Sequence, residues 1–278
     1  MARRKMQWHP LFAQLLRPHV ERYYEVRTNV PVGDLPREAD IVLLRRRGIG
    51  PLPFTGLWRE LATWNVLEFK GPTVTPRPRD LALLLEVGLG IARRLNTERP
   101  RPLPEREVAF WYLANRLGDR FREDAERRLG RLEAVGTGIW RAYVLGHPCL
   151  LVSTVDLPVD EDSLPLHVIG AEPESLERKV GEYVAGEHKR LSAYGDVFAA
   201  LHPRTWKELQ AMAKSRREKL EFDIRPAVEL LGLPEVIRQI GLDELLKQAK
   251  ARDIVAHLPR AKREELKRLL EVPEGETR

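Results

Sequence analysis

Residues 107–115 read EVAFWYLAN, an almost uninterrupted apolar run of strand length. A strand can be apolar on both sides only where both faces of its sheet are covered. The run therefore predicts a doubly covered strand, and with it an α/β domain in which helices pack on the faces of a sheet. With 278 residues the chain has room for one large domain or a domain with an appendage, and its 43% hydrophobic content supports a packed core.

The segments upstream supply the other layers. HPLFAQLLRPHVERYYEV (9–26) has Leu11, Leu15, Leu16, Val20 and Tyr23 at helical spacing, with Pro18 expected to kink or split it. EVRTNVPVG (25–33) and READIVLLR (37–45) read as strands, the second carrying Glu38, Asp40, Val42 and Leu44 on one face. GIGPLPFTG (48–56) is a Gly- and Pro-rich excursion that leads to a third strand, WNVLEFKG (64–71). RDLALLLEVGLGIARRLN (79–96) is a mostly apolar helix whose Gly88 and Gly90 are expected at close helix–sheet contacts. A charged helix, DRFREDAERRL (119–129), and a hairpin made of GIWRAYVLG and PCLLVSTVDL follow the buried strand.

WNVLEFKG poses a chemical question. On a strand Val66, Glu68 and Lys70 share one face, while Leu67 and Phe69 point to the other. A carboxylate and an ammonium inside an apolar strand are costly unless something explains them. Asp40 stands on a strand expected to neighbour this one. Two carboxylates converging on one point repel unless a cation lies between them, and hard oxygen ligands suit Mg²⁺ or Mn²⁺. The Phe69 carbonyl is a further candidate oxygen. Lys70 would then orient an attacking water and stabilise charge on a phosphoryl oxygen. The plain alternative is a same-face ion pair on an edge strand, worth under about 1 kcal/mol.

The order helix, strand pair with Asp40, strand with Glu68-Phe69-Lys70 and helix, over residues 9–115, resembles the PD-(D/E)XK nuclease superfamily. The resemblance implies a restriction-endonuclease-like mixed β-sheet flanked by helices, with Asp40 and Glu68 as metal ligands. It further implies Lys70 as the residue that assists phosphodiester hydrolysis, Mg²⁺ or Mn²⁺ as cofactor and nucleic acid, DNA first, as substrate. Ala39 precedes Asp40, so the name-giving Pro-Asp pair is absent. Members often carry another acid on the first helix; Glu21 is the candidate here, with Glu25 second. The alternative is a catalytically inactive nucleic-acid-binding or assembly module of the same fold.

The formal net charge of +6 is compatible with a nucleic-acid ligand. Arg45, Arg46 and Arg47 after the Asp40 strand, and Arg77 and Arg79 before the following helix, are candidate phosphate contacts. The single cysteine, Cys149, excludes an intrachain disulfide and argues against a cysteine-based zinc site. The histidines show no metal-ligand spacing, and VDLPVDEDSLPLH (155–167) reads as a solvated acidic turn, with metal binding as its alternative. No signal peptide or apolar run of membrane-spanning length is evident, which gives a cytoplasmic protein as the expectation.

The expected division is a nuclease-like core over 1–165 and a helical extension over 166–278. Within the extension LGLPEVIRQ (231–239) and IGLDELLKQ (240–248) align at a period of nine, with a degraded third copy to 258. Such units suit packing or homo-oligomerisation. Following a basic nuclease-like body, they resemble the transposase-associated, recombination-promoting branch of the superfamily.

Overall fold

The computed structural model describes residues 8–31, 38–48, 50–98, 100–170, 173–187 and 190–215, with Asp223, Arg225 and Val228 beyond them; at 29–31, 38–40 and 215 it describes backbone alone. The nine-residue repeats at 231–258, and the oligomerisation and recombination-promoting assignments built on them, lie outside the described residues.

Seven strands form one mixed sheet in the order β1-β2-β3-β4-β7-β6-β5. They are β1 (Tyr24–Pro31), β2 (Glu38–Arg46), β3 (Trp64–Lys70), β4 (Val108–Ala114), β5 (Glu133–Gly136), β6 (Ile139–Val144) and β7 (His147–Ser153). β3, β4 and β7 are parallel and central; antiparallel partners β2 and β1 extend one side, β6 and β5 the other. Every residue of β4 is buried, as its composition requires. The short β5 (EAVG) is half-exposed to exposed and has no apolar alternation that would reveal it.

Among the described residues, helices cover both faces. α2 (Pro78–Thr97) and α3 (Asp119–Leu129) pack Leu81, Leu84, Val87 and Phe121 over Ile41, Val66, Phe110 and Tyr112. Gly88 allows this approach, since a Cβ there would meet the Phe110 ring at 2.6 Å, whereas Gly90 faces open space. The expected close contact therefore holds at one glycine and not at the other. α1 (Trp8–Val20) covers the opposite face, where Phe12 stacks on Phe69 at 4.8 Å. Pro18 sits in its last turn, and the helix stops at Val20 rather than running to 26. α4 (Leu164–Gly170), buried along its whole length, packs beside α1.

Two compact units divide at Tyr183/Val184, within α5 (Glu174–Gly186), not at 165/166. α4 belongs to the first unit because it completes the α1 layer. In the second, α6 (Ser192–Leu201) and α7 (Pro203–Ser215) pack through Phe198 and Trp206, ring centroids 6.4 Å apart. No helix among the described residues is long and apolar enough to cross a membrane.

Candidate active site at the ends of the parallel strands

β3 ends at Lys70, β4 at Ala114 and β7 at Ser153, all at one edge of the sheet. In open α/β sheets the carboxyl ends of parallel strands are where ligands gather. Here β3 carries Glu68, 6% exposed, and Lys70 on the α2 face. The Lys70 Nζ lies 2.5 Å from Glu68 Oε1 and 3.9 Å from Asp80 Oδ1.

Asp80 is a residue that the sequence reading missed. It occupies the first turn of α2, where its Oδ2 accepts the Arg77 backbone N–H at 3.0 Å. An acid at that position caps the helix and complements its dipole, so PRPRD before an apolar run has a sufficient local explanation. Folding gives it a second partner: α2 starts just beyond the β3 end and returns Asp80 to Lys70.

Tyr112 was missed as well, because it hides in the apolar run of β4. It pairs with Glu68 across the parallel ladder, is fully buried, and stacks on Phe121 with centroids 5.1 Å apart. Its hydroxyl lies against Asp80, Glu68 and the Arg77 backbone without a well-formed hydrogen bond. Burial, reinforced by the two carboxylates, pushes the phenol pKa up, so the group keeps its proton.

The other expected residues distribute unevenly. Asp40 lies on β2, one residue before Ile41, the backbone partner of Glu68; its side chain lies outside the described residues. Val42 and Leu44 pair with Leu67 and Asn65 and so share their face, opposite Glu68. Strict alternation would assign position 40 to that face too. The β1–β2 ladder interrupts it: Thr28 pairs with Val42 but Val30 with Ala39, so Asp40 and Ile41 stand where β1 has only Asn29. Such a bulge breaks strand alternation and re-aims side chains. The Phe69 ring turns to α1, and its backbone lies past the Ile41–Glu68 pair that ends the β2–β3 ladder while still pairing with Leu113.

Glu21 does not join this cluster. α1 starts beside the strand end, with the Trp8 ring against Gly71, and runs away from it on the opposite face. Glu21 follows its last turn, exposed, at the Tyr24 end of the sheet. Four residues of β3 separate that end from Glu68, roughly 13 Å. Glu25 is there too and pairs with Arg27 at 2.9 Å, which holds its carboxyl below the usual range.

The arginines divide the same way. Arg45 pairs across the ladder with Trp64, the first residue of β3, and lies over its ring; Arg46 donates to the Gly50 carbonyl. With Arg47 they stand at the far end from Glu68. Arg77 and Arg79 flank the start of α2, beside it. Arg116 and Arg120, in the turn after β4 and the first turn of α3, stand at the same edge and were not foreseen. All four are exposed and carry no ion pair among the described residues.

A hard divalent cation takes one or two protein carboxylates and keeps several waters. Glu68 and Asp80 meet that requirement, and the Lys70 ammonium between them marks a position where positive charge is already accepted. Among the described residues no three of His, Cys, Asp or Glu converge as a ligand set. The acidic loop is a structural turn: Asp160 Oδ1 accepts the Ser163 N–H and Trp58 Nε1 donates to the Asp162 carbonyl. Cys149 is a buried thiol whose pKa burial pushes up to about 12. No protein-family profile, curated protein or solved structure matches the chain.

Proposed function

We propose that this chain is a metal-dependent nuclease that hydrolyses phosphodiester bonds of nucleic acid, DNA first, on a restriction-endonuclease-like scaffold. The observation that carries the reading is the convergence of Glu68, Lys70 and Asp80 at the end of a central parallel strand. A buried ion pair is a poor device for stability alone, because its desolvation cost rivals its Coulomb attraction. Three charged groups gathered at a ligand-binding edge are better explained by chemistry.

Glu68 and Asp80 would hold Mg²⁺ or Mn²⁺, with Asp40 from the adjoining strand as a third donor. The bound ion would supply Lewis-acid stabilisation of a phosphoryl oxygen and a more acidic water. Lys70, displaced from between the carboxylates but tethered beside them, orients the attacking water and offsets charge growing on the phosphate. Arg77, Arg79, Arg116 and Arg120 rim the edge and would contact flanking phosphates, giving affinity that falls steeply with salt.

A second reading has its own observation. Lys70 already neutralises both carboxylates, as it would in a nucleic-acid-binding module that has no turnover. Supercoiled plasmid incubated with the purified protein in Mg²⁺, Mn²⁺ or EDTA separates the two. Metal-dependent nicking that Glu68→Gln abolishes is the outcome expected of the nuclease. A gel shift without nicking under any metal would leave the binding module.

A further inference from the structure

Asp80 has one hydrogen bond of good geometry. Its Oδ2 is fixed by the Arg77 amide at 3.0 Å, while Oδ1 faces the Lys70 ammonium across 3.9 Å, beyond hydrogen-bond length. Beside it lies the buried Tyr112 hydroxyl, placed against Asp80 and the Arg77 backbone but in no hydrogen bond of good geometry. Buried polar groups left unsatisfied are rare and call for an explanation. The ring cannot turn away to find another partner: it is fully buried in β4 and stacked on Phe121, with planes 20° apart. A small rotation of the Asp80 carboxyl would satisfy donor and acceptor together.

We propose, resting on the cation-site reading above, that Tyr112 is a positioning residue whose hydroxyl holds the Asp80 carboxylate once Lys70 gives up its place between the acids. A phenol suits that role. It donates one hydrogen bond and brings no charge, so it orders the carboxylate without competing for the cation. Groups that orient metal ligands commonly matter about 10- to 100-fold in metal affinity. The Glu68–Tyr112 register fixes the hydroxyl beside both acids through backbone pairing, which a side chain on a loop would not achieve.

The test is a double-mutant cycle with Tyr112→Phe and Asp80→Asn, read without substrate as the Mg²⁺ concentration that half-saturates the rise in Tm. Tyr112→Phe keeps the ring stack, so its melting temperature without metal stays near that of the wild type. Its half-saturating Mg²⁺ is expected to rise about tenfold, with no further rise when it is added to Asp80→Asn. In the nicking assay at limiting Mg²⁺ it lowers kcat and leaves KM for plasmid unchanged. Phe121→Leu, which loosens the ring but keeps the hydroxyl, shifts the half-saturation in the same direction. A Tyr112→Phe half-saturation within twofold of wild type, or effects that multiply independently in the double variant, overturns the role of Tyr112 and leaves the nuclease reading standing. A wild-type protein with no Tm response to Mg²⁺ or Mn²⁺ overturns both.

Discussion

Asn65 and Glu68 stand three residues apart on β3, both buried, on opposite faces of the sheet. Asn65 is locked: its Oδ1 accepts from the Ala62 N–H at 2.9 Å and Trp111 Nε1 at 3.1 Å, and its Nδ2 donates to the Ala62 carbonyl at 2.8 Å. Nearby, the Tyr24 hydroxyl donates to the same carbonyl at 2.9 Å. His167 on α4 meets the Pro158 carbonyl at 3.1 Å. On the α2 face Glu68 is met by a lysine on a flexible stem, and Asp80 by the same lysine at longer range. One face spends its polar burial on fixed partners that define the fold. The other keeps a charged partner that can move, which is what a site needs and a core does not.

Lys70→Met should test the difference hardest. It removes the ammonium that Glu68 and Asp80 share, and breaking such a pair costs about 3–5 kcal/mol when fully buried. Because Lys70 is 17% exposed, about 2–4 kcal/mol is expected by urea unfolding. Added Mg²⁺ should raise the melting temperature of this variant more than that of the wild type, since the ion replaces the missing charge. Equal responses would mean that the acids do not form a cation site. Asn65→Ala should cost about 2–3 kcal/mol by leaving the Trp111 and Ala62 N–H donors unpaired, and Mg²⁺ should not rescue it.

Gly88→Ala comes next, at about 1–3 kcal/mol, because the new methyl meets the Phe110 ring under α2. Gly90→Ala should be neutral or slightly stabilising through helix propensity. A reversal of that order would show that α2 does not sit on β4 as described.

The smallest effect concerns pH. Burial lowers the His167 pKa below its ordinary 6.5, so below that pH the unfolded chain binds the proton more readily. The histidine's contribution to stability is therefore full above about pH 6.5 and lost as pH falls toward its folded value. Relative to the wild type, His167→Gln should lose less melting temperature, or gain more, as pH falls from 7 to 5. The comparison isolates His167 from Asp196, whose carboxyl burial raises to about 6 and whose contribution runs the opposite way, growing as pH drops. An unchanged profile in the variant would remove His167 from the fixed-partner face.

Much of this contrast was legible in residue order, and its limits are physical. The apolar run of β4 could only be a doubly covered strand, and two-residue alternation put Glu68 and Lys70 on one side of β3. Sequence does not say which face a helix takes. The acids after α1, Glu21 and Glu25, were therefore the candidates and Asp80 was not, though α1 lies on the other face. Asp80 and Tyr112 each had an adequate local role, as helix cap and core strand, and local sufficiency masks a tertiary one. The bulge at Asp40 and Ile41 has no signature in READIVLLR, since register depends on β1 as much as on β2.

The most direct measurement compares Glu68→Gln with Asn65→Ala for Mg²⁺-dependent plasmid nicking per folded molecule, beside the melting temperature of each. The account predicts that Glu68→Gln loses at least about a hundredfold in nicking per folded molecule, even where loss of the Lys70 pair lowers its melting temperature, while Asn65→Ala melts lower and nicks at the wild-type rate. Wild-type nicking by Glu68→Gln would contradict it.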